Sequence, residues 1–167
     1  MAQRKRWEIK GLSQARSFRK AARVVACARL DDVLALIHQF GSTGDAEVLH
    51  QLRIAARRLR YPLETLISNF DRKTTLGFIT ALNELQDAAG GARDLDVLLA
   101  HVKDLAARSK ARMPEKFFRE VERRRKALYR DAGRALDAFG SNLALTAFQH
   151  EIRYAKHVTK KAENVTK

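Results

Sequence analysis

The sequence predicts an all-α protein, a helical bundle of about five to six helices. Apolar residues recur at helical spacing along most of the 167 residues, and no stretch of useful length alternates as a β-strand would. A hydrophobic content of 46% with only two prolines and eight glycines is typical of a folded helical chain. The length is sufficient for one compact domain with its own core.

The N-terminal part is expected to be an arm followed by a long helix. Residues 1–12 are basic and poorly periodic, which indicates the arm, and helical spacing follows over about 14–40. The segment 41–45 is rich in glycine and small polar residues and is predicted to be a loop. Asp45 at its end is a good N-cap for the next helix.

The middle of the chain is predicted to hold three helices. The second helix runs to about residue 70, and Pro62 inside it should kink or split it because proline removes one backbone hydrogen bond. A third helix covers about 73–89 and ends at Gly90-Gly91. Asp94 is then expected to cap a fourth helix.

The last part of the chain is predicted to form two more helices. Pro114 suits the first turn of a fifth helix, and a break is expected at 140–142. A sixth helix covers about 143–157. The bundle is therefore expected over 13–158, followed by a basic tail at 159–167.

The charge of the chain indicates a polyanionic partner. Lys and Arg number 33 and Asp and Glu 19, so the formal net charge is +14. The single cysteine, Cys27, excludes an internal disulfide and suits a reducing compartment. Neither a signal peptide nor an apolar run long enough to span a membrane is apparent, so a cytoplasmic location without membrane association is expected.

The strongest candidate site is a cationic stripe on the second helix, called here the His50 stripe. At about 100° per residue its members fall within about 80° of each other, and they border the apolar face of the helix. Such a stripe can line a groove for an anion with several charges, because guanidinium groups match phosphate oxygens. A solvated basic face paired with Glu47 and Glu64 is the alternative. The stripe consists of His50, Arg53, Arg57 and Arg60.

Two further basic stripes follow in the sequence. One lies on the fifth helix, opposite its apolar face, where a solvated surface is the competing interpretation. Its members are Arg119, Arg123, Lys126, Arg130 and Arg134, with Arg124 and Arg125 flanking the apolar arc. The other repeats the spacing of the His50 stripe, which chance could also produce in so basic a chain, and consists of His150, Arg153, His157 and Lys160.

The segment 85–99 combines glycines with acidic and basic side chains. It is predicted to be a helix–turn–helix joint in which Arg93 binds an anion or pairs with Asp87 or Asp96. Together with Asp94, these aspartates are the only clustered carboxylates that could hold a catalytic metal. Structural roles are the favoured interpretation of the aspartates.

Signals for enzymatic activity are weak. The chain has no GxxxxGK[ST] phosphate loop and no HExxH motif. Its five histidines have no cysteine partners at the spacing typical of zinc ligands. No catalytic set of nucleophile, histidine and acid can be identified from the sequence. The sequence therefore predicts no catalytic residue, no metal site and no cofactor.

Two motifs carry a resemblance to a known family. The segments VLHQLRIAARRLRY at 48–61 and GARDLDVLL at 91–99 resemble the CHAD domain. This resemblance implies an all-helical bundle whose basic surface binds inorganic polyphosphate and which can localise to polyphosphate granules. Carried over to this chain, it implies binding by His50, Arg53, Arg57, Arg58 and Arg60, and by Arg93.

The chain departs from the family pattern in two respects. The family usually contains two related helical halves that enclose a basic pore, whereas only one four-helix-bundle-like half is clear here, and Pro62 stands where the family more often has alanine. A homodimer could rebuild a two-sided channel by setting the His50 stripe against itself. Since like charges would resist that pairing, we hypothesise that polyphosphate binding and dimerisation are coupled.

The sequence thus favours a non-enzymatic polyphosphate-binding protein. A nucleic-acid-binding protein is the first alternative, weakened by the low aromatic content of 7%. A metal-dependent phosphoanhydride hydrolase and a purely structural scaffold are the others. The residues expected to bind polyphosphate are His50, Arg53, Arg57, Arg58, Arg60, Arg93, Arg119, Arg123, Lys126, Arg130, His150 and Arg153.

Overall fold

The computed structural model describes residues 9–109 and 114–154, and within them the protein is all-α, as the sequence predicts. Five α-helices are joined by short connections, and no described residue is in a strand. Short 3₁₀ turns lie at Leu12–Gln14 and Ile67–Asn69. The helices are α1 (Phe18–Thr43), α2 (Ala46–Thr65), α3 (Arg72–Ser109), α4 (Glu115–Gly140) and α5 (Leu143–Tyr154).

Local hydrogen bonds fix the junction of α1 and α2. The side chain of Asp45 accepts a hydrogen bond from the backbone N–H of Glu47 at 2.8 Å, which confirms the predicted N-cap. Gly44 ends α1 in the left-handed region (φ 60°), and its N–H donates to the carbonyl of Phe40 at 2.7 Å. Because α1 extends to Thr43, the predicted loop at 41–45 shrinks to two residues.

Pro62 does not split α2, so of the two expected effects, a kink or a split, the split is wrong. The helix continues to Thr65, and the N–H of Leu66 still reaches the carbonyl of Pro62 at 2.8 Å. Pro62 occupies the last turn of the helix, so its missing N–H interrupts the hydrogen-bond ladder only near the end. A 3₁₀ turn then leads to α3.

The glycine pair in the middle of the chain does not end a helix, contrary to the prediction. The helix α3 runs unbroken through Gly90 and Gly91, so Asp94 lies inside it rather than capping a new one. Glycine costs about 1 kcal/mol relative to alanine within a helix. Here both positions face neighbouring helices, with Arg53 near Gly90 and Leu128 near Gly91, and this packing favours the continuous helix. The described chain therefore has five α-helices, where the residue patterns indicated six.

The core lies where all five helices meet. The rings of Phe78 from α3 and Phe148 from α5 stack with centroids 4.3 Å apart, and Phe70 and Phe139 pack against them. The largest fully buried apolar side chains are Phe78, Phe148, Leu30, Leu49, Leu52, Leu59, Leu63, Leu82 and Val33. This single continuous core confirms a helical bundle.

The helices α3 and α4 continue beyond the core as an antiparallel pair. The last buried residue of α3 is Ala92 and the first of α4 is Ala132. Between them, no described residue is buried. We call residues 93–109 and 114–127 the distal hairpin.

The C-terminal elements follow the predicted order. The helix α4 begins directly after Pro114, and the break between α4 and α5 falls at 141–142. The helix α5 is described to Tyr154. The tail at 159–167, the first eight residues of the predicted arm, and the candidates His157 and Lys160 lie outside the described residues.

Candidate anion-binding groove

A groove of about 520 Å³ runs between α2 and α3. Three arginines of α2 form one wall, and the opposite wall and the floor come from α3. The lining residues are Arg53, Arg57, Arg60, Tyr61, Gln86, Asp87, Gly90, Gly91 and Asp94. The groove therefore brings together three of the four residues of the His50 stripe.

The burial of the apolar side of α2 turns the arginines toward α3. Leu52, Leu59 and Leu63 are completely buried, and this fixes the rotation of the helix about its axis. The stripe borders these leucines at helical spacing, so it comes to lie at the edge of the α2–α3 contact. A cationic stripe beside the apolar face was the arrangement that the residue spacing predicted.

Glycine shapes the floor of the groove. A Cβ atom placed on Gly90 would lie 3.8 Å from Nε of Arg53, so the guanidinium group of Arg53 rests close to the bare backbone of α3. A larger side chain at this position would occupy the space between the two helices. The glycines that interrupt the apolar pattern of α3 therefore serve helix–helix approach and groove depth, and not helix termination.

The three arginines keep hydrogen-bonding capacity toward the groove. Nη1 of Arg53 lies 4.0 Å from Oδ1 of Asp94, at the limit of an ion pair, and Nη1 of Arg60 donates to Oδ1 of Asn83 at 2.6 Å. Nε of Arg60 is 3.5 Å from Oε1 of Glu64 without hydrogen-bond geometry. Arg57 is exposed and forms no ion pair within the described part of the chain. Each guanidinium has five N–H donors, so most remain available.

Acidic residues on the α3 wall reduce the positive charge of the groove. The lining carries Arg53, Arg57 and Arg60 against Asp87 and Asp94, which gives 3 − 2 = +1. The Asp94 side chain is 75% exposed, so water screens its effect on Arg53 strongly. The positive wall and the acidic wall are thus on different helices, and an anion would bind against α2.

His50 belongs to the stripe but not to the groove lining. It lies one turn before Arg53, is half-buried, and its Nδ1 atom is buried without a hydrogen-bond partner. A buried ring nitrogen without a partner is uncommon in folded proteins. The role of His50 in anion binding stays a prediction.

Several groove residues were missed by reasoning from the sequence. Tyr61 is half-exposed at one end, and the guanidinium carbon of Arg60 lies 5.3 Å from its ring centroid. Gln86 and the two glycines come from α3, which could be placed opposite α2 only once the packing was known. The earlier signals for Tyr61 are its position directly after the stripe and its place at the end of the family-like segment 48–61.

Arg58 and Arg93 lie outside the groove lining. Arg58 is exposed on α2, and Arg93 is half-buried on α3. Pairing of Arg93 with Asp96, one of the alternatives for this residue, is not found, because Asp96 accepts hydrogen bonds from Nε of Arg125 at 2.6 Å and from the hydroxyl of Tyr129.

The basic stripe on α4 faces solvent, away from the groove. Nε of Arg119 is 4.0 Å from Oε1 of Glu115, and Nη2 of Arg123 lies 2.6 Å from Oε1 of Glu120, so both pair with carboxylates of their own helix. Lys126 and Arg130 are exposed on the same helix. The structure does not bring this stripe together with the His50 stripe.

The basic residues of α5 are also remote from the groove lining. Nη2 of Arg153 lies 2.7 Å from Oδ1 of Asp31, and this pair connects α5 with α1. His150 is exposed on α5. These two side chains therefore form a separate surface from that of the arginines of α2.

A polar cluster around Asp96 connects α3 with α4. The guanidinium of Arg125 is hydrogen-bonded to Asp96 and lies 4.7 Å from the ring centroid of Tyr129. Burial and the hydrogen bond to Asp96 raise the pKa of Tyr129 to about 12, and the same carboxylate raises the pKa of Arg125. Asp96 thus has a structural role, but it connects α3 with α4 and does not lie at the predicted joint.

The carboxylates of 87–96 are divided between two surfaces. Asp87 and Asp94 line the groove, whereas Asp96 is bound to Arg125 and Tyr129. Within the described residues, no group of three or more His, Cys, Asp or Glu side chains is placed to hold a metal ion. The candidate metal set of the hydrolase alternative is not assembled by the fold.

The fold and the groove define a class: an all-α protein with an arginine-lined cleft between two packed helices. The family model of the CHAD domain matches residues 5–91 and 25–165, and the chain belongs to this family. Neither a curated protein nor a solved structure is significantly similar to the chain. In the described part, no helix is both long enough and apolar enough to cross a bilayer.

Proposed function

We propose that this chain binds inorganic polyphosphate in the groove between α2 and α3 and does not hydrolyse it. The observation that carries the proposal is the convergence of Arg53, Arg57 and Arg60 on one cleft that has a glycine floor. Membership in the CHAD family supports polyphosphate-related binding at the level of the family. The net charge of +14 supports a polyanionic ligand in general.

The chemistry of the groove suits a linear phosphate polymer. Guanidinium groups offer paired N–H donors that match the oxygens of a phosphate group. Arg53 and Arg60 are seven residues apart, which corresponds to about 10 Å along the helix. The three arginines can therefore contact successive phosphate groups of one extended chain, with Gly90 leaving room for the polymer beside α3.

The other predicted residues have an accessory part in this proposal. His50, Arg58 and Arg93 lie on α2 and α3 outside the groove lining, and they add long-range attraction together with the α4 stripe and the pair His150 and Arg153. Their exposed charges raise the local concentration of a polyanion without selecting it, so weak binding of nucleic acid is part of the proposal. Binding of this kind could also bring the chain to polyphosphate granules in the cytoplasm.

The absence of hydrolysis is argued from the carboxylates. Phosphoanhydride cleavage with a divalent metal requires several oxygen ligands that converge on one ion. Asp87 and Asp94 are on the groove, but Asp96 is held by Arg125 and Tyr129. We expect no phosphate release from long-chain polyphosphate in the presence of Mg²⁺, and a rate that depends on Asp87 or Asp94 would contradict this.

One observation favours a second candidate, the binding of single-stranded nucleic acid. The ring of Tyr61 is half-exposed at the end of the groove and could stack on a base. A single aromatic platform offers little stacking over an extended strand. This candidate therefore ranks below polyphosphate.

A titration with long-chain polyphosphate at several salt concentrations tests the proposal. Binding should weaken as a power of the salt concentration, since each phosphate contact releases counterions. Single-stranded and duplex DNA at equal charge should displace polyphosphate poorly. Equal competition by single-stranded DNA, with loss of that competition in Tyr61→Ala, would establish the nucleic-acid candidate instead.

A further inference from the structure

The distal hairpin exposes a run of apolar side chains on α3. Leu98 and Leu105 are 50% and 66% exposed, and Val97 is also exposed beside them. Leu98 and Leu105 are seven residues apart, so they lie within about 20° of each other on the helix. Three of the eight exposed large apolar residues in the described chain thus lie within nine residues of one helix.

The α3 part of the distal hairpin is electrically neutral. Residues 93–109 contain three Lys and Arg and three Asp and Glu, so their formal charge is 3 − 3 = 0 in a chain of +14. A polyanion would gain little from this surface. Two copies of it can approach each other without the repulsion that two His50 stripes would experience.

We propose that a second copy of this chain docks on the α3 surface of the distal hairpin, antiparallel and about a two-fold axis near His101. In this register Leu98 of each copy lies opposite Leu105 of the other, with the axis between His101 and Val102. Asp94 then lies within one residue, about 1.5 Å along the helix, of the position opposite Arg108, so these two side chains can pair. The pairing is self-complementary in both apolar contact and charge, which a two-fold interface requires.

The side chains at the ends of this interface are accessible. The Arg108 side chain is 77% exposed and pairs with Asp104 of its own helix, with Nη2 and Oδ2 2.9 Å apart. Asp94 is 75% exposed. Both can therefore turn toward a second copy. The two hairpins together form a four-helix arrangement that covers apolar surface which neither hairpin covers alone.

This arrangement has a consequence for the groove. Asp94 belongs both to the docking surface and to the groove lining. Arg108 of the second copy would therefore arrive at the end of each groove, beside the carboxylate that opposes the α2 arginines. The dimer differs from a face-to-face pairing of the His50 stripes, because it forms through neutral surface and needs no polyanion between the copies.

The test is the mass in solution without polyphosphate, measured by size-exclusion chromatography with light scattering. We expect twice the chain mass of 18.9 kDa for the wild type over a micromolar concentration range, at low and high salt. Leu98→Glu with Leu105→Glu should give the monomer mass. Leu143→Glu is the matched control, since Leu143 is 84% exposed on α5, and it should leave the dimer intact.

Exchanging the charges of Asp94 and Arg108 tests the proposed register of the two α3 helices. Arg108→Asp should raise the dissociation constant of the dimer at least tenfold, and Asp94→Arg combined with Arg108→Asp should restore most of the loss. A wild type that is monomeric throughout the concentration range would overturn the proposal. So would a dimer that persists in Leu98→Glu with Leu105→Glu, or a charge exchange that restores nothing. None of these results depends on polyphosphate binding.

Discussion

Gly90 and Arg53 face each other across the α2–α3 groove, and a Cβ atom on Gly90 would lie 3.8 Å from Nε of Arg53. This is an ordinary van der Waals separation, so one methyl group fits but a longer side chain would reach the guanidinium group. The groove depth therefore depends on a residue that carries no functional group. The two substitutions Gly90→Ala and Gly90→Leu separate the effect on the helix from the effect on the groove.

We expect Gly90→Ala to stabilise the protein and to leave polyphosphate affinity within about twofold. Alanine should raise the free energy of unfolding by up to about 1 kcal/mol, because it favours the helix that α3 forms through this position. Gly90→Leu should lower the affinity about tenfold by displacing Arg53. Urea unfolding and polyphosphate titration measure the two quantities. An unchanged affinity in Gly90→Leu would show that the ligand does not use the groove floor.

The arginines of the groove should contribute more to polyphosphate binding than those of α4. Arg53→Ala with Arg57→Ala removes two guanidinium groups from the groove wall. With about 1.5 kcal/mol for each charged hydrogen-bonded contact, we expect a loss of affinity on the order of a hundredfold at low salt. Alanine favours the helix, so the circular dichroism spectrum should not change.

Arg119→Ala with Arg123→Ala is the matched comparison for that variant. It removes the same charge from the exposed side of α4, where both arginines pair with carboxylates of their own helix. We expect a loss of less than about fivefold, from long-range attraction alone. Equal losses in the two double variants would mean that polyphosphate responds to net charge and that the groove is not its site.

Asp96 should contribute to stability through its two hydrogen bonds. Its side chain is only 14% exposed, and Asp96→Ala would leave Arg125 and the hydroxyl of Tyr129 without their acceptor. We expect the free energy of unfolding to fall by about 2 kcal/mol in urea denaturation. Asp87→Ala, on the same helix and exposed, should change it by less than about 0.5 kcal/mol. Similar losses in both variants would contradict the structural role assigned to Asp96.

The raised pKa of Tyr129 predicts a loss of stability in alkaline solution. Its pKa rises from 10.0 to about 12 on folding, so the folded state favours the neutral phenol. The resulting stabilisation is complete below pH 10 and is lost as the pH rises from 10 to 12. Allowing for solvent screening, we expect a difference of about 1 kcal/mol between the two ends of this range.

Tyr129→Phe isolates that contribution. Burial also raises the pKa of the Cys27 thiol, so part of the alkaline destabilisation remains in both proteins. The difference in unfolding free energy between the wild type and Tyr129→Phe should shrink as the pH rises through this range. Parallel pH profiles for the two proteins would mean that the phenol does not lose its hydrogen bond to Asp96 on ionisation.

The helices could be predicted from the sequence because each carries its own periodic apolar face and end signals. Asp45 illustrates this, since its cap depends only on the residues beside it. Gly90-Gly91 illustrates the limit. Glycine often ends a helix, and here its role was decided by Arg53 and Leu128, which are distant in sequence. Local propensity cannot include packing of this kind.

Only the α2 wall of the candidate site could be predicted from the sequence. The His50 stripe could be found because its residues share one helix, and three of its members line the groove. The opposite wall required the pairing of α2 with α3, so Gln86 and Gly90 were missed. The stripes on α4 and α5 have the same kind of spacing, and their distance from the groove lining could not be read from the chain.

The unbroken course of α3 fixes the rotational phase between the groove and the distal hairpin. Each residue inserted between Gly90 and Leu98 would turn the exposed leucines by about 100° around the helix axis and shift them by about 1.5 Å. Seven inserted residues would bring them back to within about 20° of the original direction. An insertion or deletion in this segment therefore changes the direction in which the exposed leucines face relative to the groove.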